Sequence, residues 1–479
     1  MTPRRKTLVL LICCLSLLMV SMDNTIVNVA LPSIRSDLGA SLSGLQWTID
    51  AYTLVLASLL MLSGSTADRL GRRRTFQVGL VTFTVGSLLC SLAPGLGWLV
   101  AARALQAVGG SMLNPVAMSI ITNVFTDARE RARAIGVWGA VVGLSMALGP
   151  IVGGALTETV GWRAIFWINV PVGVAAFVLA AVFVPESRAE RPRRPDPVGQ
   201  LLVAITLATV TYAIIEGPRH GWGSPVIVAL FLLALLSLAG LLRWEPRRTD
   251  PLLDLRFFRS VPFSSATLTA VTAFGAFAAF LFLNTLYLQG SRGYSALEAG
   301  LCTLPMALAT FLLAPVSGRI VGARGVRVPL YVAGVCMGSA AVLLTRITPT
   351  TPLLYLLGAY LVFGIGFGMV NAPITNTAVS GMPRAQAGVA AAVASTSRQV
   401  GASLGVAVAG SIAGATTGVI GPDFAAATHP AWWLLAGCGL VVVLLCTAAT
   451  TRRAQASAQA TAALFAGEDS PAREPVAAR

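Results

Sequence analysis

Ser21-Met22-Asp23-Asn24-Thr25-Ile26-Val27-Asn28-Val29-Ala30-Leu31-Pro32 closes the first apolar run of the chain, which begins at Leu8 behind Arg4-Arg5-Lys6. A helix over this run is long enough to cross a bilayer, whose hydrocarbon core takes about 20 residues. A carboxylate near the middle of such a helix costs on the order of 3 kcal/mol on insertion scales, so acids kept there face a polar interior and handle ions or protons. Asp23 is therefore the first candidate functional residue, weighed against a plain hydrogen bond to a neighbouring helix. The basic start followed by an apolar run resembles a signal peptide. No small-residue cleavage site follows, however, and the run continues through Asp23, so it reads as a first span.

The remaining residues agree with a membrane setting. The chain has 479 residues, of which 56% are hydrophobic and only 11% charged, and its mean hydropathy is +0.78. Soluble domains carry about a quarter charged residues, so this is a polytopic, all-α membrane protein. Apolar windows predict fourteen spans near 8–31, 45–65, 75–93, 97–119, 135–157, 164–184, 198–216, 225–243, 262–287, 297–318, 328–345, 352–372, 387–412 and 430–450. The formal charge of +15 would suit nucleic acid, but its distribution argues for topology instead. Of 34 basic residues, 27 fall in the two termini and the even-numbered connections. Five lie on the other side (Arg35, Arg163, Arg219, Arg292, Arg346), and two, Arg103 and Arg398, lie inside spans. By the positive-inside rule both termini are cytoplasmic, and the expected location is the cytoplasmic (inner) membrane, with no nucleic-acid partner.

Two polar connections, Pro185 to Pro197 and Trp244 to Ser260, bracket spans seven and eight. The expected layout is a first six-helix bundle over residues 1–186, linkers and two inserted helices over 187–260, and a second bundle over 261–450. A polar, Ala-rich tail over 451–479 is expected to be disordered. The seven cysteines all lie in apolar runs without metal-type spacing and read as small core residues. His220 and His429, the only histidines, are expected in outer loops apart from any acid cluster. With no nucleophile constellation either, an enzyme is not expected, and neither is a metal or other cofactor.

Several stretches carry more specific chemistry. After span two comes Gly64-Ser65-Thr66-Ala67-Asp68-Arg69-Leu70-Gly71-Arg72-Arg73-Arg74. Gly64 is expected at a close helix crossing, and Asp68 with Arg69 and Arg72 offers charge contacts able to bias one conformation over another. Span four opens Trp98-Leu99-Val100-Ala101-Ala102-Arg103-Ala104-Leu105-Gln106, and an arginine there needs an anionic partner rather than a route to the surface. At about 1.5 Å per residue, Arg103 lies roughly 9 Å, Asp50 roughly 7 Å and Asp23 roughly 12 Å in from the outer ends of their spans. The three thus share a layer as candidate proton-coupling residues. In span five, Gly143, Ala147, Gly149, Gly153 and Gly154 form a smooth face and Pro150 a kink, suited to sealing or rocking.

GSTADRLGRRR, the RALQAVGG region and GLSMALGPIVGGAL resemble the three signature motifs of the major facilitator superfamily, the third being typical of antiporters. Asp23 to Pro32, Gly161 to Pro171, the Pro251–Arg259 run and Tyr287-Leu288-Gln289 with Gly293-Tyr294-Ser295 resemble the fourteen-helix drug–proton antiporter family. The likeness covers nearly all of residues 10–450. It departs at Ala107, where a glycine is usual, and at Pro315 to Ile320, where the second-half loop motif has no acid. The resemblance implies two rocking six-helix halves with the two extra helices at the side. It also implies protonation at Asp23 tuned by Arg103, and Asp68 contacting the start of the thirteenth span in the outward-open form. The implied activity is efflux of lipophilic drugs or antibiotics by a monomer in the lipid bilayer, driven by the proton gradient. Export of one metabolite or self-made antibiotic is the alternative, and a transport-inactive sensor a remote one. The expected substrate contacts are Asn24, Asn28, Trp47, Tyr52, Gln106, Met112, Phe277, Asn284, Met306, Asn371 and Arg398, with Phe274, Phe280 and Asn376 nearby.

Overall fold

In the computed structural model, which describes residues 1–189, 195–248, 250–380, 387–417, 421 and 423–466, helices fill every expected span position. The first half contains α1 (Pro3–Leu38), α2 (Leu42–Leu70), α3 (Arg72–Ser91), α4 (Leu96–Val124) and α5 (Ala128–Thr159). Its sixth span is broken into α6 (Ala164–Trp167) and α7 (Asn169–Phe183). The inserted pair is α8 (Pro197–His220) and α9 (Pro225–Trp244). The second half opens with α10 (Val261–Leu286), extended by a π turn at Tyr287–Ser291. Then come α11 (Ala296–Cys302) and α12 (Leu304–Arg324), which form one broken span, and α13 (Arg327–Leu344). Another broken span, α14 (Leu353–Gly368) and α15 (Asn371–Val379), precedes α16 (Ala387–Thr417) and α17 (Phe424–Ala449). Twelve helices among the described residues are long and apolar enough to cross a membrane; α3 and α16 occupy the other two positions.

Local chemistry sets the helix starts. Ser41 accepts from Gly44 N to cap α2, Asp127 from Arg129 N and Glu130 N to cap α5, and Ser295 with Glu298 forms a capping box on α11. Within a bilayer the hydrophobic effect no longer holds helices to one another, so small residues that permit backbone contact take over. A methyl group on Gly405 of α16 would overlap the Gly275 carbonyl oxygen of α10, and one on Gly86 of α3 would lie 2.6 Å from the Gln106 backbone of α4. The crossing of α3 and α4 turns Arg103 and Gln106 inward. Helix α8 packs against α2 of one half and α16 of the other, while α9 packs on α8. The inserted pair therefore sits at the side where the halves meet.

The halves touch over the end of the bundle away from the chain termini. Gln289 Nε2 donates to Val29 O at 2.8 Å, Gln46 Nε2 to Ala407 O at 2.9 Å, and Leu297 N to Glu158 Oε2 at 3.2 Å. Gly154 of α5 lies against Ala296 and Leu297 of α11. Nearer the middle, Gly143 of α5 meets Phe311 of α12. Toward the termini, Asn371, Thr375 and Asn376 of α15 are exposed, which marks a cleft between the halves on that side.

Two expectations fail here. The tail is helical over Arg452–Ala466, with Phe465 buried against Phe257 at 5.2 Å. Its alanines favour helix strongly, and the single aromatic supplies the anchor; residues 467–479 lie outside the described residues. The histidines belong to helices rather than loops, and His220 Nδ1 lies 3.7 Å from Glu216 Oε2. All seven cysteines are unbridged and buried or half-buried, as expected.

The α10–α16 crossing gives a direct test of packing. Gly405→Val should cost about 1–3 kcal/mol through overpacking and lower the thermal midpoint in detergent. Gly358→Val, whose added methyl meets nothing within 4 Å, should leave the midpoint nearly unchanged.

Candidate functional site

Asp23 of α1 and Arg103 of α4 meet in the interior of the first half, where they are 0% and 1% exposed. Arg103 Nη1 donates to Asp23 Oδ2 at 2.5 Å and to Gln106 Oε1 at 2.7 Å, while Nε donates to Thr48 O at 3.2 Å. Gln106 Nε2 donates to Asp23 Oδ1 at 2.8 Å, and Asn169 Nδ2 reaches the same oxygen at 3.4 Å. Ser87 closes the network: its hydroxyl donates to Phe166 O at 2.9 Å and accepts from Asn169 Nδ2 at 3.0 Å. The guanidinium lies 4.2 Å over the Tyr52 ring and 5.7 Å from that of Phe166. Each charge thus has partners on several sides, which a buried ion pair needs because desolvation otherwise outweighs attraction.

Helix α1 also carries this site toward the seam. Gly149 of α5 lies against Thr25, and Gly153 against Ile26, so the smooth face of α5 rests on the turn that follows Asp23. The Pro150 carbonyl touches Gly300 of α11 on the opposite side. One helix therefore contacts both the acid's own turn and the second half.

Asp50 stands apart from this network. It is fully buried on α2, accepts from Thr53 Oγ1 at 3.3 Å, and lies close to Ser403 of α16. The shared depth is consistent with Thr48 reaching Arg103, but Asp50 points to the junction of α2, α8 and α16. Glu216 of α8, which sequence reasoning passed over, is also buried and accepts from Trp47 Nε1 at 3.2 Å.

Much of the expected substrate wall is packed core. Tyr52 and Gln106 serve the ion pair, and Trp47 packs at a tilt against Tyr212 at 5.6 Å beside Glu216. Asn284 accepts from Tyr360 OH at 2.6 Å, Phe280 packs on Phe363 and Trp432, Met306 is buried against Gly364, and Met112 lies beside Gly79. Asn24 and Asn28 donate to carbonyls of their own helix. Phe277 is buried in a stack with Phe367, and those left toward the cleft are the exposed Asn371 and Asn376, with Arg398 and the half-buried Phe274.

The loop after α2 is locked to the end of the sixth span by Glu186, a residue without a sequence signal. Glu186 accepts from Arg73 N at 3.1 Å and lies 3.9 Å from Arg74. Gly71 has a φ of +112°, and a methyl there would lie 2.6 Å from Glu186 Oε1, so only glycine suits the position. Asp68 pairs with Arg72 at 3.0 Å and its carbonyl accepts from Ala189 N, while Arg69 is exposed. Residues 381–386, which lead into α16, lie outside the described residues. Gly64 is not at a close crossing, because a methyl there would meet nothing within 4 Å.

A buried pair is costly to break from one side. Arg103→Gln should lose about 3–5 kcal/mol by stranding the Asp23 carboxylate. Adding Asp23→Asn should restore part of that loss, with a coupling of at least about 1 kcal/mol in a double-mutant cycle of unfolding in detergent. Strict additivity would show that the pair does not form.

Comparison with known proteins agrees with this architecture. The family model described as Major Facilitator Superfamily matches residues 13–406. The chain is 36% identical over 409 residues to the multidrug resistance protein Stp of Mycobacterium tuberculosis, covering 85% of this chain and 76% of that protein. It is 39% identical over 409 residues to the puromycin resistance protein Pur8 of Streptomyces alboniger, covering 84% and 80%. Among solved structures, the human organic anion transporter MFSD10 superposes with a TM-score of 0.64 at 16% identity, covering 93% of this chain and all of that one, a likeness of fold. The chain belongs to the Major Facilitator Superfamily.

Proposed function

We propose that this protein is a proton-coupled exporter of small lipophilic compounds, working as a monomer in the cytoplasmic membrane with both termini cytoplasmic. The observation that carries the reading is the Asp23–Arg103 pair, sealed in the first half and one helical turn from the α5 seam. With this orientation, the conformer is closed outside and open to the cytoplasm. The relatives Stp and Pur8 are named for drug and antibiotic resistance, which supports efflux as the direction.

In this reading Asp23 takes a proton from the outer side while the opposite cleft is open. Neutralising the carboxyl weakens its hold on Arg103 and loosens the turn on which Gly149 and Gly153 rest. Helix α5 then shifts, the seam at the end away from the termini closes, and substrate enters from the cytoplasm or inner leaflet. Proton release and re-formation of the ion pair stabilise the inward-open state, and substrate binding favours the return. Asp50, buried where both halves meet α8, is a second candidate for proton exchange. Each charge crossing 100 mV supplies about 2.3 kcal/mol. A narrow exporter is the second reading, because Pur8 is named for a single antibiotic.

Inside-out vesicles from expressing cells provide the test, with energisation by respiration and a panel of anionic, neutral and cationic fluorescent compounds. Uptake of at least one compound should rise on energisation and disappear with an uncoupler. In Asp23→Asn it should fall at least about tenfold, in line with loss of an essential proton carrier, while the thermal midpoint shows the protein folded. Full uncoupler-sensitive uptake by the variant would contradict the reading.

A further inference from the structure

Arg398 is the charge in the second half that the proton cycle leaves unexplained. It lies on α16 just where that helix parts from α2. Val400, Ser403 and Leu404 still border a small shared cavity with Leu54 and Ala57 of α2, and two residues further toward the cleft comes Arg398. Its Nη2 donates to Thr375 Oγ1 of α15 at 2.6 Å, and its guanidinium lies 5.7 Å from the Phe274 ring. No carboxylate lies within 4.0 Å of it among the described residues, and its buried Nε has no acceptor.

The contrast with Arg103 is informative. There Nε and Nη1 are met by a carbonyl, a carboxylate and an amide, whereas Arg398 uses one donor on a neutral hydroxyl. An unpaired guanidinium at this depth is strongly disfavoured. The second half offers no remedy of its own: from Val261 to Ala449 the only acids are Glu298 and Asp423, both at the end away from the termini. Beside the free donors stands the half-buried ring of Phe274, backed by the buried pair Phe277 and Phe367, which stack at 4.1 Å; Phe274 meets Phe367 edge-on at 5.2 Å.

We propose that Arg398 anchors an anionic group of the transported compound, a carboxylate, sulfonate or enolate attached to an aromatic body that lies against Phe274, with Phe277 and Phe367 packed behind it. The planar fork of arginine matches such oxyanions with two parallel hydrogen bonds. The inference deepens the exporter reading and rests on it for the word transported; the binding it describes stands without any gradient.

Two probes with nearly the same rings test it: anilinonaphthalene sulfonate, and N-phenylnaphthylamine, which lacks the sulfonate. Each is titrated by fluorescence against the full-length protein in lipid nanodiscs, with empty nanodiscs subtracted. Arg398→Gln should weaken the sulfonate probe at least about tenfold, the size of a charge-assisted hydrogen bond. The neutral probe should change by less than about threefold, and Arg398→Lys should recover part of the sulfonate affinity. Equal weakening of both probes would assign Arg398 to structure or to pairing with an acid such as Asp50, and overturn the proposal. So would no loss of the sulfonate probe in a variant that melts like the parent. Asp23→Asn should keep the selectivity while losing energised uptake, so failure of the exporter reading leaves a separate signature.

Discussion

The bond between Asp23 and Arg103 is the constraint around which the first half is built. Neither charge can remain alone at that depth, so residues of α2, α3, α4 and α7 are arranged to satisfy both. Thr48 lends a backbone carbonyl, Gln106 bridges the two charges, and Asn169 with Ser87 completes the donor set. The glycine crossing of α3 on α4 brings these side chains within reach. A network so fully satisfied is stable, yet its stability depends on one proton. Adding that proton to Asp23 removes half of the pair and leaves the rest in place.

In the proposed cycle such a local change must reach the seam, and the packing of α5 offers a route. Its glycines lie on the turn after Asp23 on one side, and its kinked segment lies on α11 on the other. Such contacts are sensitive to small displacements, because the side chains that meet the glycines, Thr25 and Ile26, are β-branched and stiff, and the Pro150 contact is backbone. At the opposite side of the bundle, α8 spans α2 and α16 and carries Glu216 against Trp47. The inserted pair is thus in contact with both halves rather than an ornament at the periphery.

The sequence carried the positions of the helices and the Asp23–Arg103 pairing, each for a physical reason. Charges in lipid are too costly to be incidental, and depth along a helix is simple arithmetic. It did not carry which way an uncharged side chain faces. Spans that are apolar on every side have little periodicity, so Tyr52, Asn284 and Met306 looked as suitable for a cavity as Asn371 does. Glu186 and Asn169 escaped notice for the converse reason: their roles come from elements distant in sequence. The tail was misjudged because composition spoke for disorder, while alanine propensity and the burial of Phe465 gave a helix.

The central claim is that Asp23 exchanges a proton and that its bond to Arg103 changes with it. Infrared difference spectroscopy of the purified protein in lipid, taken across a pH titration, observes this carboxyl directly. A protonated-carboxyl band should appear as pH falls and be missing in Asp23→Asn, with a matching change in guanidinium modes that is lost in Arg103→Gln. An Asp23 that remains ionised over the whole pH range in which the protein stays folded would contradict the account.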